Sequence, residues 1–225
     1  MYVSRGSFWS SIPPVVKNLV IINAIMMGIT YLTGNFMFEK FALFYFESSF
    51  FQPYQYVSHM FMHGNFVHLL FNMYALVIFG VVLEQIWGSK KFLIYYLVTG
   101  IGAALFHTLV LHIEAVQLVK AYEAGSFALL GEIQTLYGTP TVGASGAVYG
   151  VLLAYGMLFP NNVLQLIFPP IALKAKWFVI IFGIIELSLG IYNPGSNVAH
   201  FAHLGGMIFG FFLILFWKKK NRMYF

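Results

Sequence analysis

The chain has 225 residues, of which 60% are apolar and only 8% charged, and its mean hydropathy is +0.81. A soluble domain carries about a quarter charged residues, so this composition excludes an ordinary soluble globule, a disordered chain and a nucleic-acid-binding protein. The sequence has no Cys and no Asp. Disulfides, cysteine chemistry, a pair of catalytic aspartates and a Ser-His-Asp triad are therefore excluded. What remains is an all-α protein with several membrane-spanning helices.

Six apolar segments approach the length of about 20 residues that a spanning helix needs. The first follows Pro13-Pro14 and lacks a small-residue cleavage pattern, so we expect a retained span rather than a signal peptide. We predict a polytopic transmembrane bundle of six helices that forms a single membrane domain over residues 1–225, with spans at 16–32, 66–87, 92–112, 143–159, 177–192 and 198–217.

The basic residues are divided unevenly between the two sides of the predicted bundle. Because consecutive spans alternate in direction, the two termini, the 88–91 turn and the 160–176 loop share one side, which holds ten of the twelve Lys and Arg residues. The positive-inside rule makes that side cytoplasmic. The segments 33–65, 113–142 and 193–197 then face outward.

The outward segments differ in character. We expect 36–58 to be an aromatic-rich loop in the membrane interface, because it is dense in Phe and Tyr but too polar to span. We expect a short amphipathic helix around 115–124. From Gly125 onward, three glycines and Pro140 predict irregular chain.

The fourth span is short. Its 17 residues, 143–159, reach about 25 Å as a helix, whereas the bilayer core is about 30 Å thick. If the helix ends at the cytoplasmic face, it begins below the outer membrane surface. Irregular chain at that depth requires protein or water around it. Ser145 is therefore expected at a recessed helix start beside water.

Other polar side chains are expected at the same depth. His68 and Asn72 lie one turn apart on one face of the second span, and His203 lies about five residues into the sixth. Both spans enter from the outside, as the fourth does. Because polar groups are costly in lipid, their convergence with Ser145 on one level indicates a functional site.

Two GxxxG patterns predict close contact between the fourth and sixth spans. They run from Gly146 to Gly150 and from Gly206 to Gly210, and glycines at this spacing let helix backbones touch. His203 shares the face of the second pair. Pressing these helices together would bring Ser145 to His203.

A serine beside an imidazole has a defined chemistry. The imidazole of His203 removes the proton of the Ser145 hydroxyl, which then attacks a carbonyl carbon. The Ser145 backbone N–H, with side-chain donors from His68 and Asn72, would stabilise the oxyanion. Without Asp, the two residues would act as a Ser-His dyad.

Three motifs carry a family resemblance: HGNFVHLLFN at 63–72, GASG at 143–146 and AHLGGMIFG at 202–210. They resemble the signatures of rhomboid intramembrane serine proteases, which are HxxxN in the second helix, GxSG opening the fourth and AHxxGxxxG in the sixth. The turn EQIWGSK at 84–90 is also similar. The Trp-Arg pair of many first outer loops is absent from 36–62.

The resemblance implies a minimal six-helix bacterial rhomboid in the cell membrane, with cytoplasmic termini and a site open to the extracytoplasmic side. It implies hydrolysis of a peptide bond in or near a transmembrane helix of a membrane-protein substrate, often after a small residue. No metal or organic cofactor is implied. The roles implied are nucleophile for Ser145, base for His203, oxyanion donors for His68, Asn72 and the Ser145 amide, and support for His63, Gly143, Gly146, Gly206 and Gly210.

Two acidic residues lie in apolar segments, and the sequence leaves more than one role open for each. Glu84 either has a structural role, in which it caps backbone N–H groups or pairs with Lys90 or Lys91, or acts in catalysis, and we favour the structural role. Glu186, in the middle of the fifth span, either makes a structural hydrogen bond or takes part in catalysis or gating.

The sequence also suggests roles for the remaining histidines. We prefer His203 over His200 as the base, because only His203 has glycines three and seven residues later, and we expect His200 at the membrane interface. The HxxxH pair of His59 and His63 lacks an evident third ligand for zinc. His107 and His112 are expected to be hydrogen-bonded structural residues.

Two other functions stay open at this stage. One is a catalytically silent rhomboid-like protein that binds membrane proteins. The other is a small transporter or channel that uses the polar cluster as a pathway, although no internal repeat is evident.

Overall fold

The computed structural model describes residues 8–165, 170–192 and 199–220. The predicted 193–197 loop, the first residue of the sixth predicted span and both chain ends lie outside the described residues. The helices are Phe8–Ser11 (α1), Pro14–Thr33 (α2), Asn35–Phe41 (α3), Gln55–Ser58 (α4), Phe66–Ala75 (α5), Val81–Trp87 (α6), Ser89–Glu123 (α7), Leu130–Gly138 (α8), Ser145–Leu158 (α9), Ala175–Tyr192 (α10) and His200–Lys219 (α11).

Short elements connect these helices. A π-helical turn, Leu76–Gly80, joins α5 and α6 into one apolar helix, and 3₁₀ turns occupy His59–Phe61 and Phe127–Leu129. The strands Val163–Gln165 (β1) and Ala172–Lys174 (β2) pair antiparallel, with Leu164 opposite Leu173. Nothing in the sequence of the 160–176 loop had predicted this pairing.

Within the described residues, five helices are long and apolar enough to cross a membrane: α2, Phe66–Trp87, α7, α10 and α11. The sixth apolar helix, α9, has 14 residues and is about 21 Å long, shorter than the predicted 143–159. Much of the surface is apolar, as on α10, where Ile180, Ile184, Leu187 and Ile191 are exposed. Exposed apolar helices of this length identify an integral, multi-pass membrane protein.

The helix that carries the third predicted span, 92–112, is longer than that span. It was predicted to end at 112 and to be followed by a separate helix at 115–124, but α7 continues unbroken to Glu123. The 35 residues give a helix about 52 Å long, which exceeds the bilayer core. No Gly or Pro interrupts 105–123, so the backbone hydrogen bonds continue.

The prediction of irregular chain after 124 was also wrong in part, because α8 forms there. Two of the glycines behind that prediction, Gly131 and Gly138, are the second and last residues of α8. Glycine weakens a helix least at its ends, and Pro140 follows the helix rather than interrupting it.

The helices α7, α9 and α11 pack closely through small residues. Tyr95 of α7 stands where Gly210 of α11 leaves space, and its hydroxyl donates to Gly150 O of α9 at 2.8 Å. A Cβ on Gly210 would lie 2.4 Å from that hydroxyl, and one on Gly150 would lie 2.6 Å from Thr99 Cβ. Gly150 and Gly210 therefore accommodate α7, as does Gly146, where a Cβ would lie 2.4 Å from Ala103 Cβ, whereas Gly206 lets α11 approach α9.

A buried carboxylate caps the first spanning helix. Glu84 accepts hydrogen bonds from Val15 N at 2.9 Å and Val16 N at 2.8 Å, and Ser89 Oγ donates to it at 2.7 Å. Those backbone N–H groups have no acceptor within their own helix, and negative charge is favourable at a helix N-terminus. The capping interpretation of Glu84 is confirmed.

The loop between α2 and α5 is ordered around Gln55, whose side chain is fully buried. Its amide oxygen accepts from Gln52 N at 3.1 Å, and its amide nitrogen donates to Phe50 O at 3.0 Å. The loop also contains α3 and α4, so it is more regular than the interfacial loop that we predicted. Its Leu43 pairs with Thr141 just before α9, which connects the loop to the site.

Candidate active site

Ser145 and His203 meet between α9 and α11. His203 Nε2 lies 2.7 Å from Ser145 Oγ. The contact depends on close backbone approach, since a Cβ on Gly206 would stand 1.9 Å from Gly146 O. Ser145 is half-buried while His203 is 8% exposed, so the hydroxyl keeps some access to the surroundings. The structure thus brings together Ser145 and His203, for which the predicted membrane depth and the GxxxG patterns had indicated a contact.

The chain that leads into Ser145 is held by backbone hydrogen bonds. Gly143 N donates to His59 O at 3.0 Å, and Leu43 and Thr141 exchange two bonds at 2.9 and 2.7 Å. His107 Nε2 lies 3.0 Å from Thr141 Oγ1. His107 is therefore hydrogen-bonded, as expected.

The other histidine that we expected to be structural, His112, also lies on α7. His112 Nδ1 lies 2.8 Å from the Tyr45 hydroxyl in the first loop. Burial, with the carboxylate of Glu47 as a second cause, raises the pKa of Tyr45 to about 12, so its hydroxyl stays protonated at neutral pH. The contact joins the loop between α2 and α5 to α7.

His68 stands beside the nucleophile. A Cβ on Gly143 would lie 2.9 Å from His68 Cε1, 3.0 Å from His68 Nε2 and 3.4 Å from Ser145 Oγ, so ring and hydroxyl border the same point. Gly143 has a φ of 130°, a conformation that only glycine adopts readily. Asn65 caps the helix that carries His68, accepting from His68 N at 2.8 Å.

Asn72 and His63 are less directly engaged. Asn72 Nδ2 donates to His68 O at 2.8 Å, and among the described residues no hydrogen bond joins Asn72 to Ser145 or His203. His63 is buried edge-on against His68, with ring centroids 5.0 Å apart. Burial, and secondly the nearby His68, lowers the pKa of His63 to about 3.

A carboxylate lies behind His203, on the opposite side of the ring from Ser145. Glu186 Oε2 is 3.0 Å from His203 Nδ1 and 2.7 Å from His200 Nδ1, and the Tyr149 hydroxyl donates to Glu186 Oε1. The Tyr149 ring stacks on the His203 ring at 4.3 Å, almost parallel. His200 is therefore buried and paired, which corrects our expectation of an interfacial side chain.

The sequence analysis did not identify Tyr149 as part of the candidate site and did not decide between the two roles of Glu186. One signal was available, because Tyr149 lies four residues after Ser145 and therefore on the same helix face. Glu186 had no comparable signal, since nothing in the sequence fixes the rotation of α10.

Glu186, His200 and His203 also need consideration as metal ligands. Their donor atoms all lie within 4.8 Å of one another in the described part of the chain. Ligands of a tetrahedral zinc ion, each about 2.0 Å from the metal, stand about 3.3 Å apart. The contacts of 2.7 and 3.0 Å to Glu186 Oε2 are shorter and suit protons shared between the side chains.

A bundle of membrane-spanning helices that encloses a Ser-His contact defines the class of this protein as a polytopic membrane protein with a candidate hydrolase site. The Rhomboid domain family model matches residues 51–220. The chain belongs to the rhomboid family.

Several curated relatives are similar to this chain. Rhomboid protease AarA of Providencia stuartii is 33% identical over 153 residues, which cover 67% of this chain and 51% of the relative. Rhomboid-like protein 15 of Arabidopsis thaliana is 27% identical over 206 residues, which cover 85% of this chain and 51% of the relative. Putative rhomboid protease YdcA of Bacillus subtilis is 28% identical over 170 residues, which cover 72% of this chain and 67% of the relative. The first two matches span about half of each relative's length.

Proposed function

We propose that this protein is an intramembrane serine endopeptidase that cleaves peptide bonds in or near transmembrane helices of membrane-protein substrates. The single observation that carries the proposal is the 2.7 Å contact between His203 Nε2 and Ser145 Oγ, at a half-buried hydroxyl inside an apolar bundle. Membership of a family with relatives named as proteases supports it.

The proposed reaction has two stages. His203 Nε2 takes the proton of Ser145 Oγ as the oxygen attacks the scissile carbonyl, and then gives that proton to the leaving amine. Water repeats the sequence on the acyl-enzyme, releasing the carboxylate product and restoring Ser145. The reaction requires neither metal nor organic cofactor.

The developing oxyanion needs donors close to Ser145. The Ser145 N–H is unsatisfied within its helix because it opens α9, and the ring of His68 borders the same point. The Asn72 amide has two donor hydrogens and uses one on His68 O, so the second is the donor that we assign to the oxyanion. Loss of one such donor typically costs about 3 to 4 kcal/mol of barrier.

We further propose six spans, with α9 as the short fourth span that begins below the outer surface. The uneven distribution of Lys and Arg supports cytoplasmic termini and a site open to the extracytoplasmic side of a bacterial cell membrane. Residues 1–225 would form one membrane domain, with the bilayer and transmembrane substrates as partners.

Cleavage of a transmembrane model substrate by the purified protein in detergent tests the proposal. Ser145→Ala should abolish cleavage and also labelling by a serine-reactive fluorophosphonate. The matched control is Ser188→Ala, because Ser188 Oγ donates only to Ile184 O on α10, and it should retain both. A folded wild-type protein that neither cleaves nor labels would instead be a catalytically silent binder.

The assignment of the base has its own test. His203→Ala should lose cleavage to the same extent as Ser145→Ala, because His203 Nε2 makes the hydrogen bond to Ser145 Oγ in the described part of the chain. His112→Ala, which changes a histidine on α7 bonded to Tyr45, is the control and should cleave normally. Full activity of His203→Ala would refute the proposed base.

A further inference from the structure

The buried carboxylate of Glu186 touches the catalytic imidazole but has no role in a Ser-His dyad. It lies on α10, whereas Ser145 is on α9 and His203 on α11, so three helices meet at one ring. The sequence has no Asp, which had excluded only the Asp form of a triad. Glutamate offers the same carboxylate on a side chain that is one methylene longer.

The two nitrogens of His203 face different partners. Nε2 contacts Ser145 Oγ at 2.7 Å, and Nδ1 stands 3.0 Å from Glu186 Oε2. Nδ1 is buried and has no aligned hydrogen bond, so Glu186 is the acceptor nearest to a proton on it among the described residues. Catalytic hydrogen bonds are often poorly aligned until substrate binds.

We propose that Glu186 is a positioning residue that keeps the proton of neutral His203 on Nδ1, so that Ser145, His203 and Glu186 act as a triad. The inference rests on the proposed function. A neutral imidazole accepts the serine proton at Nε2 only when its own proton is on Nδ1. When His203 becomes an imidazolium ion, the carboxylate 3.0 Å away stabilises the new charge in a water-poor environment.

Neighbouring residues hold the carboxylate in place. The Tyr149 hydroxyl donates to Oε1, and His200 Nδ1 lies 2.7 Å from Oε2. An ionised carboxylate has about four acceptor positions, enough for these two partners and His203 together. Tyr149 also stacks on the His203 ring, so this one residue orients both the Glu186 carboxylate and the His203 imidazole.

Four variants test the inference by steady-state cleavage of a transmembrane model substrate and by the rate of fluorophosphonate labelling. Glu186→Gln keeps the side-chain length and removes the charge, so kcat and the labelling rate should fall about a hundred- to ten-thousandfold with KM unchanged, as for loss of a triad carboxylate. Glu186→Asp keeps the carboxylate and should recover at least part of kcat. Glu84→Gln is the control, a buried carboxylate that caps α2, and should leave kcat of the folded protein unchanged.

Tyr149→Phe is the fourth variant and carries the test if Glu186→Gln does not fold. It retains the stacked ring and removes one hydrogen bond to Glu186, so kcat should fall by about threefold to tenfold with KM unchanged. Wild-type kcat in either Glu186→Gln or Tyr149→Phe would overturn the inference. Loss of wild-type activity with EDTA, and recovery with zinc, would also overturn it by assigning the cluster to a metal.

The inference and the proposed function fail in different ways. Absence of Ser145-dependent cleavage by the wild-type protein would refute the protease itself. Cleavage that requires Ser145 and His203 but is insensitive to Glu186→Gln would leave the protease intact and refute only the triad.

Discussion

The carbonyl oxygen of Gly146 lies so close to Gly206 that a Cβ at position 206 would be 1.9 Å from it. Only glycine fits this contact. At this contact α11 lies directly against α9, with Gly146 next to Ser145 and Gly206 three residues after His203. The geometry of the candidate site therefore depends on a residue with no chemistry of its own.

Gly206→Ala should separate the two helices. We expect a loss of about 1 to 3 kcal/mol in the free energy of unfolding, as for other overpacked sites, and a loss of cleavage greater than that stability change explains. Thermal unfolding and cleavage in detergent would measure both. Gly28→Ala is the control, because nothing lies within 4 Å of a Cβ there, and it should be neutral or slightly stabilising. Normal cleavage by Gly206→Ala would contradict the close-contact argument.

Gly143→Ala should impair catalysis more than stability. Its φ of 130° disfavours any side chain, and the new Cβ would lie 2.9 Å from His68 Cε1. Displacement of the His68 ring removes an oxyanion donor, so kcat should fall at least about tenfold. Gly138→Ala, at a position with open space, serves for comparison and should cleave normally. An unchanged kcat in Gly143→Ala would argue against His68 as a donor.

Glu84→Gln should destabilise the bundle without inactivating it. The substitution weakens charge-assisted bonds to Val15 N and Val16 N, for which a cost of about 1.5 to 3 kcal/mol is typical. Thermal unfolding in detergent is the measurement. Glu39→Gln, which changes an exposed carboxylate, should leave the unfolding temperature unchanged. Equal stability of the two variants would show that the cap contributes little.

Acid should destabilise the protein as the pH falls from 6.5 to about 4. Burial lowers the pKa of His59 from 6.5 to about 4, against the opposing effect of its hydrogen bond to the Gln55 backbone. The unfolded chain therefore binds a proton in this range that the folded chain does not, and stability is complete only above pH 6.5. His59→Gln should flatten the dependence by about one proton, or about 1.4 kcal/mol per pH unit. Unfolding free energies measured from pH 8 to pH 4 would test this, and identical slopes for both proteins would contradict it.

The pairing of Ser145 with His203 was predictable because two independent constraints agree. Span order predicts one depth for both residues, and Gly206 allows α11 to approach the backbone of α9 at Gly146. The length of α7 was not predictable from the 20-residue rule, because a helix ends where its hydrogen bonds end rather than where lipid ends. Continuous helix-forming residues after 112 carry it beyond the apolar segment.

Contacts between distant segments were the least predictable part of the site. The bridge between Leu43 and Thr141 depends on backbone groups, for which no side-chain pattern exists. The approach of Glu186 to His203 depends on the rotation of α10, whose exposed Ile and Leu residues give no clear polar face. A mid-helix Glu indicated a buried partner, but not which one.

The cap on α2 has a consequence for how the chain assembles. The carboxylate that satisfies Val15 N lies 69 residues later in the sequence, and Ser89, its other partner, later still. During synthesis the first span therefore relies on solvent at its N-terminus until the turn between the second and third spans has emerged. That contact couples α2 to α6 and α7, and it can close only after all three segments have been synthesised.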